Sequence, residues 1–118
     1  KMKYLFVHYP KCTTCQKAKK WLDDNHISYE ERNIKELNPS AAELEEWHKK
    51  SNLLLKKFFN TSGLVYKSLE LKDKLPNLSE KEQLALLAGD GMLVKRPILI
   101  GSDKVLLGFK EAAWEILK

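Results

Sequence analysis

Arginine is almost missing from this chain. Arg32 and Arg96 are the only two, and the other 19 of its 21 basic residues are lysine. A net charge of +5 and a pI near 9.2 first suggest a polyanion partner. The lysines, however, interleave with glutamate, as in Glu43–Glu46 followed by Lys49-Lys50, and no aromatics punctuate a basic stripe. That pattern describes solvated helix faces, and direct nucleic-acid binding is not expected. Long apolar runs are missing too. Stretches such as Leu5-Phe6-Val7 and Leu53-Leu54-Leu55 fall far short of the roughly 18 residues a membrane span needs. No apolar segment follows Lys1–Lys3, so no secretory signal is expected, and the expected location is the cytoplasm. Cysteine is scarce: Cys12 and Cys15 stand alone and side by side. A disulfide across so short a loop removes little chain entropy and cannot staple a fold. The pair therefore points to chemistry rather than framework. What remains is ordinary for a globular protein: 118 residues, 43% hydrophobic and 31% charged. One domain spanning 1–118 is expected, as a monomer.

Residues 3–9 form a nearly continuous β-prone run, the signature of a central strand buried on both faces. Pro10-Lys11 ends it. Thr13 to Asn25 then has helical spacing, with Cys15, Ala18 and Leu22 on one face and Trp21 beside them. Residues 27–34 are shorter and more polar, as an edge strand would be, with Ile27, Tyr29 and Ile34 turned inward. Strand, helix, strand over so few residues predicts a parallel pair. A helical insertion follows over about 38–91. Ser40 with Glu43, and Ser79 with Glu82, fit capping boxes, and Leu44 and Trp47 mark an apolar face. Ser51-Asn52 breaks the first helix ahead of a short one carrying Leu54, Leu55, Phe58 and Phe59. Residues 60–63 form a turn, 64–71 a short helix or loop, and Gly89-Asp90-Gly91 ends the last helix of the insertion. Residues 97–100 and 104–107 read as a hairpin around Gly101-Ser102-Asp103. Phe109, Ala112, Ala113, Ile116 and Leu117 then predict an amphipathic helix. Trp21, Trp47 and Trp114 are expected to pack in or near the core. The order βαβ, helical insertion, ββα predicts an α/β fold with a small mixed sheet flanked by helices.

Cys12-Thr13-Thr14-Cys15 follows a strand and opens a helix. Free N–H groups and the partial positive charge of a helix start favour a thiolate over a thiol, and Lys11 and Lys17 add charge nearby. Cys12, at the very start, is the expected nucleophile. Thr13 and Thr14 are expected to bring backbone N–H groups to its sulfur. Cys15, one turn on and facing inward, is the expected resolving thiol, closing a redox disulfide with Cys12. A zinc site would need two more ligands, and His8, His26 and His48 lack metal-like spacing. No metal or resident cofactor is expected.

These features resemble the arsenate-reductase-related (ArsC/Spx) family of the thioredoxin superfamily. The resemblance rests on Tyr9-Pro10-Lys11-Cys12-Thr13-Thr14-Cys15 with Lys19 after it, on Phe59-Asn60-Thr61-Ser62-Gly63, and on Lys95-Arg96-Pro97-Ile98. It implies a thioredoxin-like fold with a four-stranded mixed sheet. It also implies that Cys12 attacks the substrate, that His8 supports its thiolate, and that Arg96 binds an oxyanion. The proline at the position of Pro97 is cis in this fold, which would present Arg96 backbone groups to an extended thiol substrate. Read from the residues, His8 ends a strand and so sits near the ligand crevice of an α/β sheet.

Arsenate reductases of this type use two further arginines. One lies in the segment that here reads Leu55-Lys56-Lys57-Phe58-Phe59, the other where Leu107-Gly108-Phe109 stands. Neither is present. Lysine at position 57 offers charge but not a bidentate fork. Arsenate reduction is therefore expected to be weak. The expected activity is that of a thiol–disulfide oxidoreductase, with glutathione or a thioredoxin- or glutaredoxin-type protein as donor. The alternative implied by the resemblance is an Spx-like redox-sensing regulator that binds the RNA polymerase α-subunit.

Overall fold

The computed structural model describes residues 3–118, so the first two residues of the expected 1–118 domain lie outside the described residues. Strand β1, Tyr4–His8, is buried along its carboxyl half. Its side chains alternate, and each face of the sheet takes one set. Phe6 joins Ala18, Trp21, Leu22, Leu99 and Trp114 in one apolar cluster. Val7 joins Ile98, Ile100 and Val105 in a second cluster on the other face, which the insertion completes. The continuous apolar run over 3–9 is explained by these two covered faces.

Helix α1, Thr13–Asp24, returns the chain to strand β2, Tyr29–Asn33. The two strands are parallel, with Tyr4 opposite Tyr29 and His8 opposite Asn33. β3, Ile98–Ile100, runs antiparallel to β1, and β4, Val105–Leu107, antiparallel to β3. The order β2-β1-β3-β4 makes the polar β2 an edge. Helices cover both faces of this mixed sheet.

The insertion contains α2 (Ala41–Ser51), α3 (Leu64–Ser68), α4 (Leu71–Lys74) and α5 (Glu80–Gly89). Both expected capping boxes form, Ser40 with Glu43 and Ser79 with Glu82. Residues 55–58 make a 3-10 turn rather than an α-helix. Phe59 then pairs with Val94 in an isolated antiparallel bridge, which no local pattern announces. Gly91 seats this block: a Cβ there would collide with the Ile34 carbonyl oxygen at the end of β2.

The chain's end differs from its amphipathic reading. α6 is only Glu111–Trp114, and a 3-10 turn follows. Trp114 is the buried residue, while Ala112 and Ala113 are exposed and Ile116 is 61% exposed. The large ring decides the face. It packs edge-on against Trp21 and Phe109, and its Nε1 donates to the Gly108 carbonyl at 3.1 Å. A buried indole gains more from such packing than two alanines do. Gly108 has φ +72, a conformation that favours glycine.

Candidate active site

Cys12 is the N-cap of α1, with extended backbone at φ −87, ψ 118. Its N–H donates to the Tyr9 carbonyl at 3.0 Å, and Gln16 Nε2 donates to the Pro10 carbonyl at 2.8 Å. These bonds hold the turn between β1 and α1. The Cys15 N–H donates to Cys12 Sγ at 3.4 Å, so the sulfur itself caps the helix. Both cysteines are free thiols, Cys12 half-buried and Cys15 buried.

Their environments separate them. Burial pushes the Cys12 thiol up. Hydrogen bonds from the Cys15 thiol and N–H outweigh it, aided by the Arg96 charge and the Thr14 N–H, and the net shift is downward. Burial pushes the Cys15 thiol up to about 12, and the neighbouring Cys12 adds to that rise. Two thiols one helical turn apart are thus shifted in opposite directions, Cys12 toward the thiolate and Cys15 toward the thiol.

Cys12 opens into a cavity of about 530 Å³. Thr14 and Arg96 share its wall, as do Leu107, Gly108 and Phe109. Asn60, Ser62 and Gly63 line it too, with Lys95 and Lys110 adding positive charge, and no carboxylate joins them. Arg96 is held in place by its own chain. Its Nη1 donates to the carbonyls of Met92 at 3.3 Å and Val94 at 3.4 Å, and its guanidinium lies 5.6 Å from the Tyr9 ring centroid. Its Nε is buried without a partner. The Arg96–Pro97 peptide is cis, and Pro97 is buried.

Not every expected residue reaches this cavity. Lys11 and Thr13 are exposed and do not line it, and Thr14 and Cys15 supply the backbone N–H groups. The His8 ring faces β2 instead. Its Nε2 lies 2.9 Å from Glu31 Oε1, and its ring stacks on Phe6 with centroids 4.5 Å apart. Lys19 belongs to the same network. Its Nζ donates to the Tyr29 hydroxyl at 2.8 Å and lies 3.4 Å from Glu31, while Tyr29 donates to Asp23 at 2.6 Å. Lys57 lines a neighbouring cavity, so it adds no charge to the Cys12 wall.

Asn60 and Ser62 owe their place to the Phe59–Val94 bridge, flanked by N–H···O bonds from Asn60 to Leu93 and from Lys95 to Phe58, both at 2.7 Å. Lys110 carries no sequence signal at all. Among the described residues, no group of three His, Cys, Asp or Glu side chains converges as a metal site, and no helix is long and apolar enough to cross a membrane.

Comparison with known proteins matches this geometry to a family. The ArsC family model matches residues 7–117. YusI of Bacillus subtilis, an uncharacterized protein, is 54% identical over 114 residues, covering 97% of each chain. The global transcriptional regulator Spx 1 of Bacillus cereus is 30% identical over 102 residues, covering 86% of this chain and 76% of its own. Among solved structures, an ArsC family related protein from Bacteroides fragilis superposes with a TM-score of 0.96 at 56% identity, covering 99% of this chain and 98% of its own. A possible arsenate reductase from Streptococcus mutans gives 0.90 at 44% identity over the whole of both chains. The fold is thioredoxin-like, and with relatives this similar over almost its full length the chain belongs to the ArsC family.

Proposed function

We propose that this chain is a cytoplasmic thiol–disulfide oxidoreductase in which Cys12 is the nucleophile and Cys15 the resolving thiol. The observation that carries the reading is the Cys15 N–H···Sγ Cys12 contact at 3.4 Å, with the two thiols shifted in opposite directions. The Cys12 thiolate attacks a disulfide sulfur, forms a mixed disulfide and expels one thiolate. Cys12 then no longer carries a charge opposing ionisation of Cys15. Cys15 gives up its proton, attacks Cys12 Sγ and releases the second thiolate. Two electrons pass to the substrate, and the Cys12–Cys15 disulfide remains. Glutathione or a thioredoxin- or glutaredoxin-type dithiol reduces it for the next cycle. Arg96 provides the anion contact beside Cys12, and Thr14 a backbone N–H. The cis Arg96–Pro97 peptide presents backbone to an extended substrate.

The test pairs two substrates, arsenate and a glutathione mixed disulfide, against wild type, Cys12→Ser and Cys15→Ser. Turnover of the mixed disulfide should vanish in Cys12→Ser, and Cys15→Ser should accumulate an adduct on Cys12. An adduct that forms on Cys15 instead overturns the assignment.

A second reading is supported by the Spx relative named above: a redox-sensing regulator whose Cys12–Cys15 oxidation changes its affinity for the RNA polymerase α-subunit. Capture of that subunit in one redox state only, with no reductase turnover, selects it.

A further inference from the structure

A second cavity of about 600 Å³ lies beside the first. Lys56, Lys57, Lys72 and Lys95 line it, together with Tyr66 and Gln83, and no carboxylate does. Some lysines elsewhere are neutralised at close range, Lys20 by Asp24, Lys49 by Glu45, Lys50 by Glu46 and Lys118 by Glu115, but others such as Lys17 and Lys35 stand singly on the surface. Among the described residues, none of the four cavity lysines has an acidic partner within 4.0 Å. Like charges around one concavity repel, and an anion inside it relieves that repulsion. Gln83 adds a neutral feature. Its Nε2 donates to the Leu78 carbonyl at 3.1 Å, and its Oε1 is buried with no partner. A buried acceptor left unpaired is costly.

The two cavities share a wall. Lys95 lines both, and the segment after the Phe59–Val94 bridge alternates between them. Phe59 and Thr61 face the lysine cavity, while Asn60 and Ser62 face the Cys12 cavity. One ligand can therefore place a sulfur at Cys12 and a charged arm over Lys95. The lysine cavity holds no arginine. Its four ammonium groups act as point charges, and a phosphate monoester, with about −1.5 to −2 charge near neutral pH, gains more from such a cluster than a singly charged carboxylate does.

We infer that the lysine cavity binds the phosphate-bearing arm of a low-molecular-weight thiol whose sulfur exchanges at Cys12. The inference rests on the thiol–disulfide reading and names its substrate class. A disulfide of such a thiol, RS–SR, is attacked by the Cys12 thiolate. Its S–S bond breaks, one RS⁻ departs, and Cys12–S–S–R forms. Cys15 loses its proton to the departing thiolate and attacks Cys12 Sγ. The second RS⁻ leaves and takes a proton from water. The cysteine pair is oxidised by two electrons, and the substrate disulfide is reduced to two thiols.

The experiment measures the oxidation rate of the pre-reduced full chain by two matched disulfides, pantethine and the disulfide of 4′-phosphopantetheine, which differ only in phosphate. At low salt the phosphorylated disulfide should react about tenfold faster. Salt at about 0.15 M should shrink that advantage through screening. Lys56→Gln/Lys57→Gln/Lys72→Gln should bring the phosphorylated rate down toward that of pantethine. Equal rates for the two disulfides, or an advantage that survives in full in the triple variant, overturn the inference while leaving the thiol reading intact. Failure of Cys12 to react with either disulfide overturns both.

Discussion

His8 Nε2 sits 2.9 Å from Glu31 Oε1, with its ring stacked on Phe6, and so faces the β2 edge of the sheet. Family resemblance makes this histidine a support for the Cys12 thiolate, but the donors at the Cys12 sulfur come from Cys15 and Thr14, with the Arg96 charge beside them. His8 is built into the Glu31–Lys19–Tyr29–Asp23 chain that ties α1 to β2.

His8→Gln should therefore move the Cys12 titration by less than about half a pH unit. Arg96→Met should move it upward by more, because the guanidinium charge acts on the thiolate directly. The thiolate's ultraviolet absorbance followed against pH measures both. A His8 effect as large as that of Arg96 would mean that the ring reaches the sulfur in solution.

The two thiols should differ in reactivity. At neutral pH, iodoacetamide should label Cys12 first and leave Cys15 unmodified, since burial holds the Cys15 thiol at about 12. Replacing Cys15 provides a finer check. Cys15→Ser keeps a side-chain donor toward Cys12, whereas Cys15→Ala removes it and leaves only the N–H. The Cys12 pKa should be higher in Cys15→Ala than in Cys15→Ser. Peptide mapping of the alkylated chain and pH–rate profiles of the two variants decide it.

Features that depend on neighbours in sequence are legible without a structure. The two capping boxes need only Ser40 with Glu43 and Ser79 with Glu82, and the Cys12–Cys15 contact needs only one helical turn. The buried β1 is legible because both of its faces must be apolar. Long-range pairing leaves no local trace. The Phe59–Val94 bridge brings Asn60 and Ser62 to the cavity, and nothing in either segment's period announces it. At the chain's end, periodicity weighs Ala112 and Ala113 equally with larger residues. Trp114 wins the buried face because its ring has Trp21 and Phe109 to pack against.

Acid should destabilise the fold in two stages. Burial lowers the His8 pKa more than Glu31 raises it, so the native state holds His8 neutral more firmly than the unfolded chain does. Its contribution is complete above about 6.5 and is lost as pH falls from there through the lower folded value. Glu43 acts later. Hydrogen bonds from Arg32, at 2.7 and 2.9 Å, hold its carboxyl at about 2 instead of 4.5. That contribution is complete above 4.5 and is lost between 4.5 and about 2. Arg32 also bonds the Leu37 carbonyl at 2.9 Å, so the pair pins α2 to the end of β2. Glu43 is 40% exposed, and Glu43→Gln should cost only about 1 to 2 kcal/mol at neutral pH after allowance for solvent. Urea midpoints measured from pH 8 to pH 3 should show the His8 limb in both proteins and a weaker Glu43 limb in the variant.

Arsenate turnover tests how much a single guanidinium in the Cys12 cavity can do. The cavity wall has one guanidinium, Arg96, with Lys95 and Lys110 as point charges, and the family resemblance implies an arginine where Leu107-Gly108-Phe109 stands. Tetrahedral oxyanions gain most from forked donors, which two lysines do not reproduce. Wild-type turnover of arsenate should accordingly be slow beside its thiol–disulfide exchange. Leu107→Arg puts a second guanidinium on the same wall, on the half-buried β4. A charge-assisted hydrogen bond to the oxyanion is worth about 1.5 to 3 kcal/mol, so kcat/KM for arsenate should rise about tenfold or more. The same change removes packing against the core, so circular dichroism should accompany the assay to show that the variant is folded. A folded Leu107→Arg protein with unchanged arsenate turnover would place the limit elsewhere than in the missing guanidinium. Wild-type arsenate turnover as fast as its disulfide exchange would overturn the reading of the cavity itself.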